Sequence, residues 1–323
     1  MSTILVTGGT GLIGTALTQQ LLEKGYRVIV LSRNPAAGTP GTPGGSEEAR
    51  TRPTGAQRAQ WDPSTGAIDP DAVSQADYII HLAGAGVADK RWSAKRKKII
   101  EESRVTGCAT IVNALQAIPN KVRAVISSSA IGWYGPDPVI PNPQPFEEMA
   151  EADTDFLGET CRRWEEAIAP VTALGKRLVI LRTGIVLSKK GGAFKEFMKP
   201  VKLGVAAILG SGRQTVSWIH IDDLCRLYLH AIEQDSWHGP YNGVAPHPVN
   251  NRTLTLALAR RIKGRYFVPV YIPSFFLKLA LGEMSIEVLK STTVSADKTH
   301  AAGFQFLYPS IEAALDHLTG HSS

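Results

Sequence analysis

The sequence predicts a doubly wound α/β fold: a parallel sheet covered by helices on both faces, with a smaller C-terminal lobe on the substrate side. Three observations carry the prediction. A short apolar strand opens the chain and runs into Thr7-Gly8-Gly9-Thr10-Gly11-Leu12-Ile13-Gly14, after which helical spacing begins. β-rich runs then alternate with helical patterns through Thr183-Gly184. Such alternation implies right-handed crossovers and therefore parallel pairing. From about Gly191 the alternation weakens, which marks the second lobe.

The elements follow in order. Thr3 to Thr7 is a strand; Leu12, Ile13, Ala16, Leu17, Leu21 and Leu22 recur at helical spacing until Gly25 stops the helix. Arg27 to Leu31 is the second strand. Pro35 to Gln57, rich in Gly, Pro, Thr, Ala and charge, reads as a surface insertion. Tyr78 to Leu82 is a buried strand, Ser93 to Ile118 a long helix and Val122 to Ser127 the next strand. Asp153 to Leu174 reads as a helix with Thr154 or Asp155 near its cap, and Leu178 to Leu181 as a strand. A short strand around Ser217 to Ile221 leads into a helix from Asp222 to Glu233, capped by Asp222 or Asp223. The domain reading is 1–245 for the nucleotide-binding part with interleaved substrate-side segments, and 246–323 for the C-terminal lobe.

Composition narrows the classes. The 323 residues are 43% hydrophobic and 20% charged, average for a globular chain large enough to bury a full core. No apolar run approaches the roughly 20 residues of a membrane span, and the start lacks the pattern of a secretory leader. Cys108, Cys161 and Cys225 are odd in number and include no CxxC pair, which argues for a reducing, cytoplasmic setting and against a disulfide framework or zinc site. The histidines show no chelating spacing, so no metal is expected. The formal charge of +6 includes Lys95-Arg96-Lys97-Lys98, followed by Glu101 and Glu102. Without aromatic or Gly-rich interleaving, this run reads as a solvated helix face, not a nucleic-acid patch.

The glycine loop has the spacing and context of a dinucleotide fingerprint. One glycine permits the tight turn, another lets the backbone approach a pyrophosphate, and Gly14 lets helix and strand pack closely. The helix start then offers free N–H groups and a positive dipole end. Gly8, Thr10, Gly11, Leu12, Ile13 and Gly14 form the predicted cradle. At the end of the second strand, where an NAD site usually places an acid, stand Ser32 and Arg33. A guanidinium there suits a 2′-phosphate, so the expected cofactor is NADP(H).

The loop, together with His81-Leu82-Ala83-Gly84, Ser127-Ser128-Ser129-Ala130, Arg182-Thr183-Gly184 and Trp218-Ile219-His220-Ile221-Asp222-Asp223, resembles the extended short-chain dehydrogenase/reductases. Ala88-Asp89-Lys90-Arg91-Trp92, Ser129 to Gly135, Arg163-Trp164-Glu165, Gly210-Ser211-Gly212-Arg213 and Asn242 to Pro246 resemble, more closely, the "epimerase family protein" subgroup. The remainder, from about Asn250, is similar to that subgroup's C-terminal segment of unassigned function. The resemblance implies a Rossmann-type fold holding NADP(H). It implies Leu82 and Ala83 under the adenosine half, Gly84 beside them at the cofactor, Arg104 facing the cofactor from the long helix, and Val186 near the nicotinamide.

Most of that superfamily uses a Tyr-x-x-x-Lys pair, in which the ammonium lowers the pKa of the phenol. None of the eight tyrosines here has a lysine four residues on, and the pair's positions fall near Leu157 and Cys161. Two catalytic candidates remain. Ser129 matches the superfamily's catalytic serine, and it either bonds a substrate carbonyl or only local backbone. Tyr134 either replaces the missing phenol or simply packs. Glu165, on the helix that should carry the pair, reads either as an acid/base or, more simply, as a solvated helix residue. The chain is therefore expected to be an NADP(H)-dependent oxidoreductase or epimerase-like enzyme for a small polar, sugar-like substrate; the alternative is a non-catalytic NADP(H)-binding or redox-sensing protein. The oligomeric state is not readable.

Overall fold

A computed structural model describes residues 1–35 and 55–320. Eight strands form the main sheet. In chain order they are β1 (Thr3–Thr7), β2 (Arg27–Ser32), β3 (Gln57–Asp62), β4 (Ala67–Ile68), β5 (Tyr78–His81), β6 (Ala124–Ala130), β7 (Arg177–Thr183) and β12 (Gly239–Gly243). Their order across the sheet is β12-β7-β6-β5-β1-β2-β3-β4, with every pair parallel except β3 with β4. The predicted doubly wound fold is what the chain adopts.

Strands buried on both faces need apolar residues at every position rather than alternation. Ile4, Leu5, Val6, Ile79 and Ile80 supply them with almost no exposure. Ile4, Val6, Val28 and Ile126 pack on one face against α1 (Leu12–Glu23) and α6 (Ile221–Glu233). Leu5, Ile29, Ile79 and Val125 pack on the other, against α3 (Ala94–Ala117) and α4 (Phe156–Ile168). The long helix has the predicted Ser93 as its N-cap, and Asp155 caps α4 by accepting from Gly158 N at 2.7 Å. α4 is shorter than predicted: it gives way at Ile168 to a 3-10 turn carrying Pro170.

Three strands of the main sheet, β3, β4 and β12, were not anticipated. Gln-Arg-Ala-Gln-Trp-Asp forms β3 because only Ala59 and Trp61 face the core. Gly-Pro-Tyr-Asn-Gly, which reads as a turn, forms β12 at the sheet edge. The predicted insertion at 35–57 falls mostly outside the described residues; its last position, Gln57, opens β3.

The second lobe is assembled from two stretches of chain. β8 (Ile185–Leu187) pairs with β11 (Trp218–His220). β9 (Val205–Leu209) pairs with β14 (Val268–Ile272), and β10 (Thr215–Val216) with β13 (Val249–Asn250). Residues beyond 246 thus complete strand pairs begun before 220, and α7 (Asn251–Lys263) packs on β9 over Leu254 and Leu258.

Candidate functional site

The chain builds β1, β2 and β3 to one side of β1, then crosses to β5, β6, β7 and β12 on the other. The crevice at that reversal, at the C-terminal ends of β1 and β5, is where such sheets bind ligands. The glycine loop lies there. Gly8 adopts φ +68°, and a Cβ on it would lie 2.8 Å from the Leu82 carbonyl carbon. A Cβ on Gly14 would overlap the Gly8 carbonyl oxygen and approach Gly9 Cα to 2.6 Å. Gly11, the N-cap of α1, has no capping side chain, and the first turn carries no acid. The opening N–H groups of α1 therefore have no side-chain cap, the arrangement by which a helix start can receive an anion. These features fit a dinucleotide diphosphate.

The other predicted cofactor residues gather around the same loop. Thr7 Oγ1 accepts from Leu82 N at 3.1 Å and Ala83 N at 3.2 Å, so its own proton goes to His81 Nδ1 at 2.7 Å. This staples the β1 and β5 ends together. Ser103 Oγ accepts from Ala85 N at 2.9 Å, and Arg104 donates to Ala85 O at 3.0 Å. Arg104 is buried, flanks Gly84 and lies over the Trp164 ring. Its visible work is to hold the loop after β5. Ser32 accepts from Asn34 N at 3.2 Å, and exposed Arg33 stands at the end of β2. Asp62, at the end of unanticipated β3, is within Coulombic reach of Arg33. Val186 lies in β8, whose following loop brings Gly192 against the Leu12 side chain.

A buried polar network occupies the sheet end next to this crevice. In register, Ser129 of β6, Arg182 of β7 and Asn242 of β12 are neighbours. Glu165 of α4 covers them. Ser129 Oγ donates to Glu165 Oε1 at 2.6 Å, and Arg182 grips both Glu165 oxygens at 2.9 Å. The expectation of a solvated Glu165 is thus corrected: the buried Arg182 guanidinium demands a counter-charge, and Glu165 is turned inward to supply it. Trp133 stacks on that guanidinium, 3.6 Å from the ring centre. Tyr134 is fully buried; its hydroxyl donates to Asn242 Oδ1 at 2.7 Å and accepts from Arg182 at 3.2 Å. Burial pushes its pKa up to about 12, against the nearby arginine. Glu148 closes the network by accepting from Asn242 N at 2.8 Å.

Where the superfamily's pair would fall, Leu157 packs on Gly132 and Cys161 is buried, its thiol pushed up to about 12 by burial. A largely buried ammonium comes from elsewhere. Lys290 reaches Tyr134 O at 3.4 Å, Asp155 at 3.3 Å and Glu287 at 3.0 Å. Burial disfavours its charge, but Glu287 and Asp155 outweigh that and raise its pKa. Nothing local in the sequence signals the roles of Lys290, Glu148 or Asn242 here, because the Lys290–Tyr134, Glu148–Asn242 and Tyr134–Asn242 contacts each span more than ninety residues. The basic run of α3 is only partly a solvated face: Lys98 pairs with Glu102, but Arg96 donates to Gly86 O and Lys97 pairs with Glu283 of the C-terminal lobe.

The cap of α6 also differs from expectation. His220 Nδ1 accepts from Asp222 N at 3.1 Å, while buried Asp223 accepts from Leu307 and Tyr308 N–H groups and pins the C-terminal segment. With Nδ1 an acceptor, His220 carries its proton on Nε2 and donates to His317 Nδ1 at 3.1 Å. Among the described residues, His220, Asp222 and His317 are the group close enough together to chelate a metal. These hydrogen bonds already consume the facing nitrogen lone pairs, and coordination through Nε2 would put a proton on Nδ1 against the Asp222 N–H.

Comparison with known proteins agrees with this geometry. Residues 4–242 match the NAD dependent epimerase/dehydratase family, and residues 272–318 match a domain of unknown function, DUF1731. The epimerase family protein Mb2239 of Mycobacterium bovis is 34% identical over 319 residues, covering 98% of this chain and 97% of its own. The epimerase family protein YfhF of Bacillus subtilis is 34% identical over 316 residues, with 98% and 97% covered. The crystal structure of the human epimerase family protein SDR39U1 (isoform 2) with NADPH superposes with a TM-score of 0.81 at 29% identity, covering 99% of this chain and 100% of that one. No helix among the described residues is long and apolar enough to cross a membrane. The glycine-loop crevice, the strand order and full-length similarity together place the chain in the NAD(P)-dependent epimerase/dehydratase family, as an epimerase family protein with a C-terminal DUF1731 segment.

Proposed function

We propose that the chain binds NADP(H) and acts as an NADP(H)-dependent oxidoreductase or epimerase-like enzyme on a small polar, sugar-like substrate. The observation that carries this reading is the uncapped helix start behind Gly8 to Gly14, with Arg33 and no acid at the end of β2. The human relative's structure with NADPH supports it. Gly8, Thr10, Gly11, Leu12, Ile13 and Gly14 would hold the diphosphate, Ser32 and Arg33 the 2′-phosphate, and Leu82, Ala83 and Gly84 the adenosine side. Arg104 would act by fixing the 82–85 loop, and Val186 would line the nicotinamide end. The cofactor, when bound, supplies hydride exchange.

The proton chemistry differs from that of a Tyr/Lys enzyme. Ser129 gives its proton to Glu165, so towards a substrate it offers lone pairs and would accept from a hydroxyl. Tyr134, the other candidate, has its hydroxyl committed to Asn242 and Arg182. That commitment favours the second reading, an NADP(H)-binding protein without turnover. Titration calorimetry and an activity screen separate the possibilities. NADPH should bind more tightly than NADH, and Arg33→Glu should weaken NADPH at least about tenfold while leaving NADH nearly unchanged. Equal affinities in the parent protein defeat the cofactor assignment. Turnover of a carbonyl or nucleotide-sugar compound that Ser129→Ala abolishes supports the enzyme; tight NADPH binding without turnover across the panel supports the binder.

A further inference from the structure

Fifteen large hydrophobic residues are exposed among those described, and seven of them fall between Tyr266 and Leu279. Scattered exposed apolar residues need no explanation, but such a concentration marks an interaction surface. Its base is β14, which among the described residues pairs with β9 alone and has no strand on its other edge. Val268, Pro269, Val270 and Tyr271 are exposed in succession, which leaves both faces of the strand in water. The helix α8 (Ser274–Leu281) follows at once and buries only Leu277, presenting Phe275, Phe276 and Leu279 at 52–74% exposure. Leu203, 84% exposed, joins them because Val268 N donates to the adjoining Gly204 O.

Charge identifies the occupant. From Ser236 to Gly282 the chain contains no Asp or Glu, while Arg260, Arg265 and Lys278 are exposed around the apolar residues and Lys202 flanks Leu203. A cationic rim is complementary to an anionic surface, and the acid that follows α8, Glu283, is paired with Lys97. Side chains more than half exposed protrude instead of lining a groove, so they suit a soft apolar phase better than a shaped protein pocket. We propose that the face formed by β14 and α8 docks on an anionic phospholipid surface, with Phe275, Phe276 and Leu279 entering the headgroup boundary and the cations resting on the lipid phosphates. The geometry is that of a segment lying on a membrane, not crossing it. A search for spanning runs in the sequence passes over it for that reason.

The test is co-sedimentation of the full chain with mixed phosphatidylglycerol–phosphatidylcholine vesicles and with phosphatidylcholine vesicles alone. The protein should pellet with the anionic vesicles and far less with the neutral ones. The double variant Phe275→Asp/Phe276→Asp should lose more than about tenfold in vesicle affinity. Arg265→Glu and Lys278→Glu should each lose at least roughly fivefold, and added salt should mimic them. Unchanged circular dichroism and melting temperature would show that these exposed substitutions leave the fold intact. Failure to pellet with anionic vesicles overturns the proposal, as does binding that ignores Phe275 and Phe276 and follows charge alone. Light scattering that shows a dimer converted to monomer by the same double variant would assign this face to a second copy and also overturn it.

Discussion

Arg182 stands near the C-terminal end of β7 with 3% of its surface exposed, and its charge sets the terms for the residues around it. A buried guanidinium is tolerable only with a counter-charge and satisfied donors. Glu165 supplies the charge, Tyr134 Oη and Glu148 O take a further nitrogen, and Trp133 covers the face. Removing the negative charge while keeping the shape should therefore be costly. Glu165→Gln is expected to destabilise the protein by about 3 kcal/mol, read as a lower urea midpoint with unchanged slope. A stability within experimental error of the parent would mean that water or another acid compensates Arg182. Ser129 and Tyr134 were legible as candidates from their positions in Ser127 to Gly135. Their partners were not, because a hydrogen bond from residue 134 to residue 242 leaves no mark on local sequence.

At the level of elements, the β1–loop–α1 unit depends on backbone contact that side chains would prevent. Gly14 sits against Gly8 and Gly9, so the first turn of α1 packs directly on the loop that would cradle the diphosphate. Gly14→Ala should push helix and loop apart, lower the melting temperature and reduce nicotinamide dinucleotide affinity by roughly a hundredfold or more. Undiminished calorimetric binding by that variant would show that the loop is not the diphosphate site. This unit was fully legible, since the strand, glycines and helix are contiguous. The strands β3 and β12 were not: one is mostly polar and the other reads as a turn, and each exists only because a neighbouring strand offers it an edge.

On the scale of the whole molecule, acid should unfold this protein well before its carboxylates alone would require. His81 is fully buried, and burial holds its pKa down to about 3; burial, aided by His317 and Lys189, does the same for His220. In the unfolded chain both titrate near the usual value of about 6.5. Between those values the unfolded state binds the extra protons, so stability is complete above about pH 6.5 and falls as pH drops towards 3. Each histidine contributes a slope of about 1.4 kcal/mol per pH unit within that window. Urea unfolding across pH 4 to 7 should show uptake of about two protons from these residues, reduced by one in His220→Asn. A flat profile would mean that neither imidazole is held neutral.

Sequence alone determined the sheet's direction, the glycine crevice and the absence of a Tyr/Lys pair, because each is written in contiguous residues or in i, i+4 spacing. Tertiary structure decided the rest. Which side chains answer the buried charge of Arg182, that Lys290 from the C-terminal segment reaches the Tyr134 loop, and that β14 has β9 as its one strand partner among the described residues all depend on residues far apart in the chain. Burial makes the difference: the pattern of a segment reveals which face it can hide, but only the packed molecule fixes which distant polar group must be hidden with it.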